Sequence, residues 1–253
     1  MKSFFFREAS ERLLYPGMLA PFLLVPPLLA VTVNLETTVS SLGGILPVFE
    51  PVDADRGRLA VALWNATVVV ALLSGVNGAR FFSGTFRAGW FRSCLALPVN
   101  RSGAFWSTAL AHFLISVCVL ALTGAAIIAA VSVPAGFPLI LTIIGALTVL
   151  FWTTAFSAFA GVLSPGWGAG LLQAGIALGS LVLAPVDVDQ LFRLLGLSNL
   201  ILPPLGRIIA RGMACWPDVR ALLVLMAHAA VFSCLGSLLL EIAIRRRAPK
   251  AES

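Results

Sequence analysis

Six runs of mostly apolar residues follow one another along the chain, separated by segments rich in charge, glycine or proline. A helix needs about 20 predominantly apolar residues to cross the hydrocarbon core of a bilayer. The pattern therefore predicts an all-α membrane protein with six transmembrane helices in a single membrane domain, 1–253. The predicted spans are 16–35, 58–77, 105–131, 137–163, 167–185 and 219–243.

The composition supports this assignment to a membrane. Hydrophobic residues make up 59% of the chain and charged residues 11%. Soluble domains are about 45–50% apolar and about 25% charged. A soluble globular domain is therefore excluded for most of the chain, and we expect the lipid bilayer to be its main surroundings.

Residues 1–15 differ from the spans because they carry two acid–base pairs at helical spacing, Arg7 with Glu11 and Glu8 with Arg12. Oppositely charged side chains four residues apart lie next to each other on a helix. We expect an amphipathic helix lying in the membrane interface before the first span. The same charges interrupt the apolar stretch, so a cleavable signal peptide is not expected.

The distribution of lysine and arginine between the two sets of loops predicts the orientation. One set, which includes both chain ends, carries 11 basic and four acidic residues, whereas the other carries six basic and seven acidic residues. Loops rich in Lys and Arg stay in the cytoplasm. We therefore expect both termini in the cytoplasm and the protein in a bacterial-type inner (cytoplasmic) membrane. The acids of the first outer loop either are solvated or recruit an extracytoplasmic partner.

Residues 188–212 are apolar, yet they contain Arg193, Pro203, Pro204 and Arg207. Proline inside a helix removes a hydrogen bond, and arginine is unfavourable in the hydrocarbon core, so a continuous span is not expected here. Two interpretations are open. The segment either forms two short re-entrant helices that turn at Pro203–Pro204, or it rests on the outer surface as an amphipathic helix.

A few polar side chains fall within the predicted spans and are candidates for contact with a transported molecule. Asn65, Gln173 and His228, together with the turn at Pro203–Pro204, form the predicted substrate path. Hydrogen bonding between helices is the other explanation for each polar side chain. The same choice applies to His112, which we expect toward the cytoplasmic side, whereas His228 is expected toward the outside.

Gly175 and Gly179 form a Gly-x-x-x-Gly pattern in the fifth predicted span. Such glycines let another helix approach closely. The approaching helix belongs either to a second copy of the chain, which would make this a dimer contact, or to the same subunit.

Residues suited to catalysis are sparse. No Gly-x-x-x-x-Gly-Lys-Ser/Thr loop for nucleotide binding occurs, and the only lysines are Lys2 and Lys250. The two histidines are expected toward opposite sides of the membrane, so they cannot share a metal ion. We expect no catalytic residue, no metal site and no cofactor on this chain.

The segment 78–101 is basic, aromatic and interrupted by glycine and proline, and it lies between the second and third predicted spans. From 84 to 97, apolar side chains alternate with Arg87 and Arg92, which suits a short amphipathic helix that ends at Pro98. The residues alone leave open a basic loop anchored at the lipid headgroups and a docking helix for a cytoplasmic protein. Nucleic-acid binding is disfavoured, because the positive-inside bias already explains the small basic surface.

The stretch SGTFRAGWFRSCLALPVNRSGAFW, residues 83–106, resembles the cytoplasmic coupling segment of ABC type-2 exporter permeases. In that family a Gly-Thr pair, a short helix with leucines and a Leu-Pro-Val-x-Arg sequence lead into the third of six spans. One departure is the Phe-Phe-Ser stretch at 81–83, where family members commonly carry acids. The resemblance implies a coupling helix at 84–97, with partner-binding residues Gly84, Thr85, Arg87, Trp90, Arg92, Leu97, Pro98, Val99 and Arg101. Arg101 is alternatively a headgroup anchor.

The resemblance also implies a transport complex. Two permease chains, identical or related, would work with a separate ABC-type ATPase subunit that binds ATP and Mg²⁺ and docks on residues 84–101. The apolar spans suit an amphipathic or lipid-like substrate, exported from the cytoplasm or the inner leaflet. The alternative function is a non-pumping membrane scaffold or regulatory subunit that uses the same residues to anchor a cytoplasmic partner.

Overall fold

The computed structural model describes residues 54–87, 101–130, 133, 136–182, 203–213 and 218–247. Those residues form six α-helices and include no β-strand. We number the helices α1 (Ala54–Arg87), α2 (Arg101–Ala130), α3 (Leu139–Leu163), α4 (Trp167–Val182), α5 (Leu205–Met213) and α6 (Val219–Arg247). The prediction of an all-α chain is confirmed for this part of the protein.

Four of the helices are long and apolar enough to cross a membrane. Their apolar stretches are Leu59–Phe86, Ser102–Ala129, Leu139–Leu163 and Val219–Ala243. They coincide with the second, third, fourth and sixth predicted spans, which supports the prediction of a transmembrane protein. α4 begins where the fifth predicted span begins and is described for 16 residues. The first predicted span and the interfacial helix before it lie outside the described residues, and the orientation stays a prediction.

α1 is longer than the second predicted span. The span was expected over 58–77, whereas the helix continues without a break to Arg87. Gly78 lies inside the helix and does not end it. A glycine is needed here because a Cβ at this position would overlap the imidazole ring of His112 on α2. The start of the predicted coupling helix, 84–87, is therefore the last turn of α1. Residues 88–97 lie outside the described part of the chain.

α1 and α3 form the centre of the described bundle. α3 packs along both α1 and α6, and α1 also contacts α2 and α4. In the most apolar 18-residue window of each helix, 61% of the residues are buried in α1 and α3, compared with 28% in α2 and α6. Large side chains on the outer faces of α2 and α6, such as Leu122 and Leu223, are exposed. This is the arrangement expected of two inner helices and two helices that face lipid.

Trp64 on α1 joins three helices. Its side chain is 1% exposed. A Cβ on Gly145 of α3 would lie 2.8 Å from the indole ring, and a Cβ on Gly212 of α5 would overlap it. Glycine at these two positions therefore lets α3 and α5 close onto the same indole.

α5 begins directly after Pro203–Pro204 and has two distinct faces. The face that carries Leu205 and Ile209 is buried against the bundle, and the face that carries Arg207 and Arg211 is exposed. A helix therefore begins at the two prolines, whereas the turn predicted there stays a prediction. The half of the predicted segment that precedes them lies outside the described residues, and the depth of α5 in the membrane stays a prediction.

Asp218 connects α5 to the start of α6. Its Oδ2 accepts a hydrogen bond from Arg207 Nε at 2.7 Å, and its Oδ1 accepts one from the backbone N–H of Ala221 at 3.1 Å. Burial by itself would raise the pKa of the Asp218 carboxyl. The Ala221 N–H and the Arg207 guanidinium outweigh burial and lower this pKa below its ordinary value of 3.8. Asp218 is therefore ionised at neutral pH and caps the first turn of α6.

We expect Asp218→Asn to lower the free energy of unfolding at pH 7 by less than about 1 kcal/mol, because solvent screens an ion pair as exposed as this one. Asparagine retains the capping oxygen, so the variant removes mainly the charge. Since the folded pKa is depressed, the contribution is complete above the unfolded pKa and is lost as the pH falls through the folded value. Thermal unfolding midpoints of the two proteins should differ at pH 7, and the difference should shrink as the pH falls through the folded pKa of the Asp218 carboxyl. A difference that keeps its full size as the pH is lowered would contradict the ion pair.

Candidate functional site

A group of buried polar side chains lies in the middle of the described bundle. This polar cluster consists of Ser74 on α1, His112 and Ser116 on α2, and Thr154 on α3. Their exposed fractions are all 3% or less. Each lies within about one helical turn of the midpoint of its apolar stretch. His112 is deeper than the sequence suggests, because α2 begins at Arg101.

His112 links the two helices on either side of it. Its Nε2 lies 3.1 Å from the backbone oxygen of Ser74, and its Nδ1 lies 3.2 Å from Thr154 Oγ1. A backbone oxygen only accepts, so Nε2 carries the proton and donates, and Nδ1 accepts from the Thr154 hydroxyl. This assignment gives a neutral imidazole, the form that apolar surroundings favour. His112 thereby connects α1 to α3 through hydrogen bonds.

The two serines complete the cluster. Ser116 Oγ donates to the backbone oxygen of His112 at 2.9 Å, a common bond to the residue four positions back in a helix. Its only proton is then in use, so Ser74 Oγ donates to Ser116 Oγ at 2.6 Å. Every hydroxyl and ring nitrogen of the polar cluster therefore has a partner, as the interior of a bilayer requires.

Gln173 of α4 lies beside the polar cluster, over Gly75 of α1. Its side chain is 1% exposed. Its Nε2 and Cγ lie 2.7 and 2.9 Å from the point that a Cβ on Gly75 would occupy, and Thr153 Cγ2 of α3 lies 3.1 Å from the same point. The Gln173 amide oxygen has no hydrogen-bond partner among the described residues. Gln173 is thus a predicted path residue whose acceptor is buried and unsatisfied.

The other residues of the predicted substrate path lie elsewhere in the bundle. Asn65 is half-buried and precedes Gly75 by ten residues on α1, about 15 Å along the helix axis. His228 is half-buried on α6, and Pro203–Pro204 precede α5. The described residues therefore place the main group of buried polar side chains around the polar cluster and Gln173, and Asn65 does not join it.

Sequence reasoning missed the hydroxyl members of the polar cluster. Ser74, Ser116 and Thr154 are unremarkable in a membrane span, because serine and threonine can bond the carbonyl four residues back on their own helix. The sequence signal that could have found these three residues is their depth in the membrane. A histidine inside a span needs polar partners at the same depth. Which spans supply those partners follows from helix packing, which one sequence does not display.

The turn between α3 and α4 is fastened to α1 just before the predicted coupling segment. Gly166 donates its backbone N–H to Ser83 Oγ at 2.7 Å, and its φ of 50° is one that glycine adopts without strain. The guanidinium of Arg80 lies 3.7 Å from the centre of the Trp167 ring, which is a cation–π contact. We call these two contacts the turn clamp. They hold the end of α1 to the start of α4.

The predicted partner-binding residues lie at the ends of α1 and α2 and between them. Gly84 is exposed, and a Cβ there would meet none of the described residues within 4 Å. Thr85 is 3% exposed, so its side chain packs in the bundle and is not presented to a partner. Arg87 ends α1 and Arg101 begins α2. The remaining five lie outside the described residues: Trp90, Arg92, Leu97, Pro98 and Val99.

Gly175 and Gly179 lie on an uncovered face of α4. A Cβ at either position would meet no atom of the described residues within 4 Å. Leu171 and Leu178, on the same helix, are also exposed. Packing against these glycines within the described part of the subunit is therefore not observed, and the approach of a second copy stays a prediction.

Within the described ranges, no group of three or more His, Cys, Asp and Glu side chains is placed to hold a metal ion. A comparison with models of protein families gave no match, and a comparison with curated proteins gave no significant match. The function is therefore inferred from the residues and their geometry.

Proposed function

We propose that this chain is the transmembrane subunit of an ATP-driven ABC exporter, with ATP hydrolysis on a separate subunit. The observation that carries the proposal is the continuity of α1. One unbroken helix joins the apolar stretch that begins at Leu59 to Arg87, inside the segment that resembles the coupling motif of the family. A force applied by a partner to residues 84–101 would therefore act directly on a transmembrane helix.

The turn clamp connects the same end of α1 to two more helices, α3 and α4. Ser83 and Arg80 lie within the last two turns of α1, and their contacts are with Gly166 and Trp167 at the start of α4. A displacement of this end of α1 would therefore also move the turn between α3 and α4. In this proposal the coupling segment and the turn clamp together form the cytoplasmic input of the permease.

ATP must change the affinity of the partner for the permease. A docked partner that bound both conformations of the permease equally well would shift neither, however tightly it bound. In the proposed cycle, ATP closes a dimer of ATPase subunits over two permease chains. Closure favours the conformation that releases substrate outward, and hydrolysis resets it.

The polarity of the bundle favours an amphipathic or lipid-like substrate. The buried polar side chains of the described residues are serines, threonines, Gln173 and His112. Such groups offer hydrogen bonds but no formal charge when the histidine is neutral. A substrate with an unpaired charge would lose its hydration without compensation here, whereas an apolar molecule with a small polar head would not.

The test is to purify the tagged full-length chain in mild detergent and to identify co-purifying proteins by mass spectrometry. We expect an ATPase with a nucleotide-binding loop at roughly one copy per permease. Arg87→Glu should reduce its recovery by about tenfold or more, because a like-charge contact at an interface costs at least about 1.4 kcal/mol. The matched control is Arg211→Glu, a charge reversal at an exposed position of α5, which should leave recovery unchanged.

Three outcomes would count against the proposal or narrow it. If no ATPase is recovered in detergent or after crosslinking in the membrane, the exporter function is wrong. Equal losses in both variants would show that charge reversal disturbs the protein generally, so that Arg87 is not a docking residue. An ATPase that binds but drives no ATP-dependent movement of substrate in vesicles would favour the scaffold function instead.

A further inference from the structure

A small cavity lies between four helices at mid-depth in the described bundle. Its volume is about 20 Å³, room for about one water molecule. α1 contributes Val68 and Leu72 to its wall, α3 contributes Trp152 and Thr153, and α5 covers it with Leu205 and Ile209. The wall is almost entirely apolar, and none of its residues is ionisable.

Two buried polar atoms beside this cavity have no hydrogen-bond partner among the described residues. One is the indole N–H of Trp152, a residue of the cavity wall, and the other is the amide oxygen of Gln173. Gln173 is close to the wall because its Nε2 and Thr153 Cγ2 lie 2.7 and 3.1 Å from the same point above Gly75. Ala177, one turn further along α4, lines the cavity as well.

The unsatisfied atoms are one donor and one acceptor. Buried polar groups in proteins are almost always paired, so an unpaired donor and an unpaired acceptor near the same cavity call for a molecule that supplies both. A hydroxyl or an amide does so, because each can donate and accept. A carboxylate or an ammonium group would bring a charge that no ionisable residue of the wall compensates.

We propose that Gln173 and Trp152 bind the uncharged head of an amphipathic molecule, an alcohol or an amide, whose apolar tail occupies an enlarged form of this cavity. The proposal rests on the function proposed above, in which such a molecule is the substrate, and it specifies the head group. In the structure, α5 covers the site. Entry of the tail requires Leu205 and Ile209 to move outward with α5, which the contact with Trp64 and the Arg207–Asp218 ion pair hold in place.

The experiment uses dodecyl probes that differ only in the head group and carry a photoreactive diazirine in the tail. The heads are a hydroxyl, a carboxylate, a trimethylammonium and, as the apolar reference, a methyl group. The purified full chain in lipid nanodiscs is illuminated with each probe, and labelled peptides are identified by mass spectrometry. We expect the alcohol to label 149–153 and 205–209 at least about fivefold more than the methyl probe, because each of its two hydrogen bonds is worth about 1 kcal/mol, or about fivefold. The two charged probes should label these residues no more than the methyl probe.

Variants assign the preference to the two side chains. Gln173→Leu removes one of the two hydrogen bonds and should reduce labelling by the alcohol about fivefold. Trp152→Phe, which keeps an aromatic ring in the wall and removes the N–H, should reduce it as well. The matched control is Ser180→Ala, a buried polar position on α4 whose hydroxyl already bonds the Ile176 carbonyl, and it should leave the alcohol preference intact. Thermal unfolding of each variant shows that the protein is folded.

Equal labelling by the alcohol and methyl probes, or an alcohol preference that is undiminished in both Gln173→Leu and Trp152→Phe, would overturn the proposal. Strongest labelling by the carboxylate or the ammonium probe would overturn it too. The experiment contains no ATPase, so its result is independent of the co-purification test. A head-group preference without a co-purifying ATPase would support the binding site and contradict the exporter function.

Discussion

Replacing Trp64 with alanine should lower the free energy of unfolding by about 3–5 kcal/mol, the range for removing a large buried aromatic side chain. The indole is 1% exposed and fills the space left by Gly145 of α3 and Gly212 of α5. Its N–H has no partner among the described residues, so the loss is one of packing and not of hydrogen bonding. Because two glycines close onto this one side chain, no neighbouring side chain at those positions can fill the cavity.

The matched control for Trp64 is Trp106→Ala on α2. Trp106 is 42% exposed, so its truncation should cost much less. The measurement is the thermal unfolding midpoint in one detergent, with limited proteolysis around α5 as a local probe. Trp64→Ala should expose α5 to protease before the bundle unfolds, because the helix loses the surface on which it rests. Similar midpoints for the two variants would contradict the role of Trp64 as the side chain on which α3 and α5 pack.

Gly78→Ala should destabilise the protein by about 1–3 kcal/mol, although alanine is the better helix former. A Cβ at position 78 would lie 2.7 Å from His112 Cε1 and still closer to Nε2. The ring cannot retreat without stretching its hydrogen bonds to Ser74 and Thr154. The overlap therefore works against both the packing of α2 and the polar cluster.

Gly84→Ala is the matched control on the same helix. A Cβ at position 84 meets none of the described residues within 4 Å, so only helix propensity changes and the variant should be neutral or slightly more stable. The two substitutions are chemically identical and are expected to have opposite signs. Adding His112→Ala to Gly78→Ala should recover part of the loss in a double-mutant cycle. Equal effects of the two glycine variants would show that α2 does not approach α1 at Gly78.

The four long apolar helices that the structure describes follow closely from the apolar pattern. The span predicted at 137–163 is the helix Leu139–Leu163, and the span predicted at 219–243 starts at the same residue as α6. About 20 apolar residues in succession have few structures available other than a membrane helix. The pattern is less informative about where α1 ends. A glycine that stops a helix and a glycine that admits a neighbouring ring look the same in a sequence, and Gly78 is of the second kind.

The candidate site is harder to predict than the spans. His112 attracts attention as an ionisable group in a membrane helix, but its partners come from α1 and α3, 38 and 42 residues away in sequence. Gln173 was predicted as a path residue from its polarity alone. Its position over Gly75 of α1 and beside Thr153 of α3, with an oxygen that finds no partner among the described residues, is a property of the packed bundle.

α1 is longer than the hydrocarbon core of a bilayer is thick. Its 34 residues span about 51 Å at 1.5 Å per residue, whereas the hydrocarbon core is about 30 Å thick. Even at a mean tilt of about 20°, the helix covers about 48 Å along the bilayer normal. Roughly 18 Å of helix must therefore stand beyond the hydrocarbon. In the predicted orientation Arg87 is at the cytoplasmic end of α1, and the share of this excess at that end would let a water-soluble subunit reach Arg87 without entering the lipid.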